Sequence, residues 1–306
     1  MGRLGGSDQD QDQDQDQDQD QRSSTGKTLQ NSGVYATLLD LDQFPAAPKN
    51  GNGVAYRDAQ TLANRVKYRE FWNAELRASI YIDEFVVRHQ NWQRRLIELI
   101  DKKGLYQRLQ DEKGAQLREI LEVSDEREKR YSEIVDQHGA DGSIKHWLRM
   151  LEITPATAPA TYQLIRIGRR LGEHVVMCLK EHYHEARPSQ VCPAIMPLIE
   201  VPAHPSFPAG HALQSHLISR CLEAAGRARN QPEMLFELSR RVAQNRVVAG
   251  LHYPLDLEAG VVAADECFKM LRECPQFNQL VDDAQDESMR EFETRARRLA
   301  RENPKP

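Results

Sequence analysis

Nowhere does this chain carry an apolar run of about 18 residues, so no membrane-spanning helix is expected. No stretch alternates apolar and polar residues over strand length, which argues against a β fold. The five cysteines, Cys178, Cys192, Cys221, Cys267 and Cys274, are odd in number and scattered. That argues against a disulfide framework or a clustered zinc site and suits small core residues in a reducing compartment. Excess positive charge is missing too. The net charge is -5, of which residues 1 to 21 hold -6 through seven Asp and one Arg, leaving about +1 elsewhere. Such a balance lacks the basic field that nucleic-acid binding needs. The first 30 residues have no apolar core of the secretory kind, and Gly6 stands where a myristoylation motif has Ser or Thr. A soluble protein with a cytoplasmic address is the expectation.

What is present begins with an alternating Asp-Gln repeat, residues 8 to 21, too polar and self-repelling to bury anything. With the stretch rich in Gly, Asn, Ser and Pro that follows, it sets off residues 1-56 as a disordered or loosely held N-terminal region. Helical spacing takes over at Arg57. Residues 57-153 read as a helical scaffold or cap, and 154-306 as a helical catalytic region, the two forming one continuous domain. Phe71, Trp72, Leu76, Ile80, Ile82 and Phe85 recur at helical spacing, and Trp72, Trp92 and Trp147 are assigned to the core. Gly104 and Gly114 are candidate breaks. Residues 115-137 predict one charged helix, ended by His138 to Gly142. After a Pro-containing linker, 154-160, an amphipathic helix places Leu164, Gly168, Leu171, Val175 and Cys178 on one face, and it ends before Arg187-Pro188. A loop with five prolines covers 189-208. Further helices are predicted over 209-226, 232-249, 256-272 and 283-301. The fold class is all-α.

Three segments of the C-terminal half carry the chemistry. In Lys180-x6-Arg187-Pro188, Arg offers a planar fork and Lys a point charge for anion oxygens. The two are seven residues apart, so a continuing helix would project both from one side. In Pro208-Ala209-Gly210-His211, a helix start supplies free amides and a favourable dipole for an anion. There Gly210 allows close backbone approach, and His211 can move a proton. In Arg246-x5-His252-x3-Asp256, Asp256 can cap the next helix or accept from one nitrogen of His252. The second choice fixes the tautomer and leaves the other nitrogen free as a nucleophile or ligand. His182 and Glu185, three apart beside His184 and Glu181, offer a weaker metal-ligand reading.

Taken in this order, the segments resemble the signature K-x6-R-P, P-S-G-H, S-R-x5-H-x3-D. That signature belongs to the superfamily uniting type 2 phosphatidic acid phosphatases, bacterial class A acid phosphatases and vanadium-dependent haloperoxidases. The likeness covers roughly residues 160 to 272 and implies a helical bundle of that type. It departs at Ala209 and Asn245, where the family has Ser. Losing a hydroxyl bond to an anion at Ala209 costs about 1.5–3 kcal/mol, so Ala209→Ser is expected to raise turnover. The resemblance implies that Lys180, Arg187 and Arg246, with the Ala209–Gly210 backbone, hold a phosphate or vanadate. It implies His252 as the attacking group, His211 as the acid and base, and no metal cation.

Two activities remain open on this resemblance. A soluble phosphatase would hydrolyse a small phosphomonoester through a phosphohistidine, without a cofactor. A haloperoxidase would hold vanadate through His252 and oxidise bromide or iodide with peroxide. His204, five residues before Ala209, is a pocket or halide residue in bromide-oxidising members, whereas chain length and the cytoplasmic address favour the phosphatase. A degenerate phosphate-binding or scaffold relative is a third reading. The charged helices could also mediate homo-oligomer formation.

Overall fold

Ala74, Ala78, Tyr81 and Phe85 define the buried face of the first described helix, and Leu76 points outward at 57% exposure. The apolar stripe is thus offset from the one expected, and Trp72, at 39% exposure, lies outside the core that takes in Trp92 and Trp147. The computed structural model describes residues 72–302 apart from 140 and 143. The expectations for residues 1–56, and for the onset of helix at Arg57, lie outside the described residues. Among these there is no strand, and the all-α class holds.

The order is α1 Ala74–Arg88, α2 Trp92–Lys102, α3 Leu105–Asp111, α4 Lys113–Glu122, α5 Arg127–Asp136, α6 Lys145–Met150, α7 Pro159–Tyr183, α8 Pro188–Val191, α9 Gly210–Ala224, α10 Glu233–Val248, α11 Pro254–Leu271 and α12 Pro275–Glu302. The described residues belong to one compact unit. Its core runs between α7, α9 and α11, where Leu164, Leu171 and Val175 meet Leu213, Leu217, Ala259, Ala263 and Cys267. Each wholly buried Leu or Ile contributes about 1.5–3 kcal/mol relative to exposure, and this face holds the three long helices together. Gly260 brings α11 against the start of α9: a Cβ there would lie 2.7 Å from the Ala209 carbonyl oxygen. That close approach sets the start of α9 beside the start of α11.

Three boundaries differ from the sequence expectation. Residues 115–137 are not one helix; a 3-10 turn over Val123–Glu126 divides it. There the Ser124 hydroxyl donates to the Leu121 carbonyl at 2.6 Å, the kind of local bond that competes with helix continuation. The redirected α5 then lies against α10. Gly114 breaks nothing and sits inside α4. The final helix starts at Pro275, not 283, because Phe277, Leu280, Val281 and Ala284 form a buried stripe at helical spacing.

Candidate active site

Lys180 lies in the last turn of α7, which stops at Tyr183 because His184 takes a left-handed φ of 50°. Arg187 is therefore not on a continuing helix. It precedes α8, where its backbone N–H donates to the Gln190 side chain at 2.8 Å. The chain then returns through the proline loop to α9. Arg246 occupies the last turn of α10, and Gly250, at φ 82°, turns the chain so that His252 precedes α11. Four separate segments thus deliver one cluster.

His252 is almost wholly buried. Its Nδ1 lies 2.9 Å from Asp256 Oδ2, and its Nε2 lies 3.0 Å from Arg187 Nη1. A guanidinium only donates, so Nε2 carries the lone pair and Nδ1 the proton. Burial, then the charges of Arg187 and Lys180, push the ring's pKa well below its ordinary value and keep it neutral. Asp256 serves both roles foreseen for it: Oδ2 accepts from His252 and also from the Tyr253 amide at 3.1 Å, capping α11. Burial pushes Asp256 up to about 6 against the pull of the Ser206 hydroxyl and Lys180. Its other oxygen, Oδ1, is buried without a partner.

The three cations are all buried, and among the described residues none forms an ion pair with a carboxylate. Lys180 donates to the carbonyls of Pro205 and Ser206 at 2.5 and 2.6 Å, so two of its three protons hold the loop. Burial, then Arg187, lower its pKa well below the ordinary lysine range. Arg187 also donates to the Leu251 carbonyl at 2.9 Å and the His204 carbonyl at 3.0 Å. Arg246 donates to the Ile134 carbonyl at 2.9 Å, while its Nε is buried without a partner. Burial draws both guanidinium groups down to about 10.

His204 joins the cluster directly: its Nδ1 accepts from Arg187 Nη2 at 3.0 Å. Burial and then Lys180 lower its pKa to about 4, and it is neutral at neutral pH. His211, in the first turn of α9, donates from Nε2 to the Gln137 carbonyl at 3.0 Å, which leaves the lone pair on Nδ1. Burial, then Arg246, lower it to about 3. Its effect on the titration of His252 places the two imidazoles in one electrostatic environment.

The start of α9 has no side-chain cap, which leaves its first-turn amides for an anion. Ala209 does not add to them, because its own N–H donates to the Asp256 carbonyl at 2.9 Å. Its side chain is buried with Ala212 and Ala243. At Gly210 a Cβ would meet nothing nearer than Val176 at 3.5 Å, so the protein's own packing does not require glycine there. Asn245 faces α5, donating to Glu133 and Gln137 at 3.1 Å each. The segment of His182 and His184 assembles no metal site: Glu185 is buried against Lys113 at 2.8 Å, and both histidines are exposed. Among the described residues no group of metal-ligating side chains clusters anywhere.

Sequence reasoning missed Ser206 and Gln137. Ser206 donates to Asp256 Oδ2 at 2.5 Å. Gln137 holds His211 through its carbonyl, and its side chain accepts from Arg246 at 3.3 Å. Gln137 lies in no recognisable motif and comes from the half read as scaffold or cap. The proximity of Ser206 to the Pro208 motif was the one available signal.

Compared with known proteins, the chain matches no family model and no curated protein. No helix of the described residues is long and apolar enough to cross a membrane.

Proposed function

We propose that this chain is a member of the phosphatidic acid phosphatase type 2 and vanadium haloperoxidase superfamily, and that it hydrolyses a small phosphomonoester through a phosphohistidine. The observation that carries the reading is the pairing of a neutral His252, oriented by Asp256, with three buried cations that, among the described residues, form no direct ion pair with a carboxylate and have Asp256 acting on two of them, Lys180 and Arg187. Unpaired buried charge is costly, and a phosphoryl dianion compensates it. Arg246 Nε, buried and unpartnered, is a ready donor for a phosphoryl oxygen.

In the proposed reaction the His252 Nε2 lone pair attacks phosphorus, and an N–P bond forms as the bond to the leaving oxygen breaks. The entering phosphoryl oxygens take over the Arg187 donor that lies against Nε2. Asp256 stabilises the positive charge that develops on the ring. His211 Nδ1 protonates the leaving oxygen, then removes a proton from the water that breaks the N–P bond and frees phosphate. With a pKa of about 3, His211 holds no proton on Nδ1 at neutral pH on its own. A dianion bound beside it favours the imidazolium and raises that value. The test is phosphate release from an aryl phosphate in the presence of a chelator, with vanadate as inhibitor. A wild-type protein that binds phosphate yet releases none from any ester would sink the reading.

One observation favours vanadate chemistry as a second reading: His204 sits in direct contact with Arg187. Vanadate has the shape and charge of phosphate, and the same donors fit it. Bound through His252, it would supply peroxide activation for bromide oxidation. Absence of bromide oxidation by vanadate-treated protein with peroxide would remove it.

A further inference from the structure

We propose that Ser206 is a positioning residue: its hydroxyl fixes the Asp256 carboxylate against His252 Nδ1, so that the carboxylate stabilises the charge that develops on the ring. The proposal rests on the histidine-nucleophile reading given above. Ser206 is wholly buried, and all three of its polar groups are held. Its N–H donates to the Glu185 carbonyl at 2.8 Å, its carbonyl accepts from Lys180 at 2.6 Å, and its hydroxyl donates to Asp256 Oδ2 at 2.5 Å. The backbone is thus pinned on both sides, and the hydroxyl lies on Asp256 Oδ2 with His252 Nδ1 3.4 Å away. Lys180 gains a second task, because it fixes the carbonyl of the residue that orients Asp256.

Three donors converge on Asp256 Oδ2, namely the Ser206 hydroxyl, His252 Nδ1 and the Tyr253 amide. The other oxygen, Oδ1, has no partner and is buried. That oxygen is where a proton would settle, and burial favours its doing so. Lys180 and Arg187 are the cations that act on Asp256, and with the three donors they oppose that protonation. Ser206 is foremost among these opposing groups, acting against a burial that carries Asp256 to about 6. Without the hydroxyl the carboxyl takes up a proton at higher pH. A neutral carboxyl still accepts from Nδ1–H through Oδ2, and Arg187 Nη1 still donates to Nε2, so the tautomer is kept. What is lost is the negative charge that stabilises a positive ring when His252 attacks.

The experiment uses the full chain and compares wild type, Ser206→Ala, Ser206→Thr, Asp256→Asn and the double variant Ser206→Ala with Asp256→Asn. Carboxyl ¹³C shifts follow Asp256, and histidine ¹⁵N shifts follow the His252 tautomer, both without substrate. In Ser206→Ala the Asp256 midpoint is expected to rise by about one pH unit, while His252 keeps its proton on Nδ1 because Arg187 still donates to Nε2. The acid limb of phosphate release moves up with it while KM stays nearly constant, and Ser206→Thr, which keeps the hydroxyl, restores both. Ser206→Ala adds nothing on the Asp256→Asn background. An unchanged Asp256 midpoint in Ser206→Ala would overturn the proposal, even with turnover reduced. A full further loss on the Asp256→Asn background would overturn it too. Failure of the wild type to release phosphate would count against the phosphatase reading alone, because the two spectroscopic measurements need no turnover.

Discussion

Helix α7 carries cations near both ends, and the two ends treat them in opposite ways. Toward its start, Arg166 meets Glu75 at 2.8 Å and Asp141 at 2.7 Å, while Arg170 meets Glu173 at 2.8 Å. Burial pulls Arg166 down, but Tyr162 and Asp141 outweigh it and raise its pKa. Toward its finish, Lys180 is buried among carbonyl oxygens, and Arg187 beyond it contacts two imidazoles. There burial wins, and both groups fall below their ordinary range. The first end is neutralised by the chain itself and ties α7 to α1. The second holds its cations against carbonyl oxygens and imidazoles, with the buried Asp256 acting on both Lys180 and Arg187, at a point where the His252 lone pair faces Arg187.

The contrast breaks most readily on the nucleophile. His252→Ala is expected to bring phosphate release from an aryl phosphate below about a thousandth of wild type, whereas Arg166→Ala keeps the rate within about threefold. Comparable losses in initial-rate assays would erase the distinction between the ends. Next in size is the response to anion. Phosphate at about 100 times its Kd is expected to stabilise the wild type by about 2.7 kcal/mol, read from thermal unfolding. Arg246→Ala weakens that binding about 10–100-fold. Arg166→Ala lowers the starting stability by about 1–3 kcal/mol and keeps the full anion increment. An increment that survives in Arg246→Ala would place the anion elsewhere.

Acidification probes the buried histidines. Unfolded, His204 and His211 titrate near 6.5; folded, they titrate near 4 and 3. Between those values the unfolded chain binds more protons, so their contribution to stability is lost as pH falls from about 6.5 toward 3. Asp256 acts in the other direction, since its folded value of about 6 exceeds 3.8 and its share improves as pH falls through that window. Two histidines outweigh one carboxyl, and the urea midpoint is expected to be lower at pH 5 than at pH 7. A higher midpoint at pH 5 would show the histidines protonated in the folded state. The smallest effect is expected at Ala209→Ser, a change in turnover of no more than about threefold. The family likeness alone suggests a gain, but the Ala209 methyl is buried with Ala212 and Ala243. A gain above about tenfold would put that methyl against the anion.

Much of the site was legible because its chemistry-bearing residues fall at fixed spacings. His252 and Asp256, four apart across a turn into a helix, left a helix cap and a pairing both open in the sequence, and Asp256 does both. Gln137 could not be read, because it lies 74 residues from His211 and acts through its backbone carbonyl, which every residue possesses. Ser206 was obscured for a related reason: a serine in a proline-rich loop has many uses, and only the clamp from Glu185 and Lys180 selects one. The offset of the first apolar stripe has its own cause. Leu76 and Trp72 are as hydrophobic as their buried neighbours, and which face of α1 is covered depends on where α7 lies.

By itself the sequence determined the all-α class, the spacing that puts cations and imidazoles at helix ends, and the two roles open to Asp256 beside His252, since these follow from local periodicity and short-range geometry. Only the tertiary structure decided that the cations lack carboxylate partners, which nitrogen of each imidazole holds the proton, and that Ala209 spends its amide on Asp256. Burial and hydrogen bonding between distant segments set those states, and neither is encoded in the order of neighbouring residues.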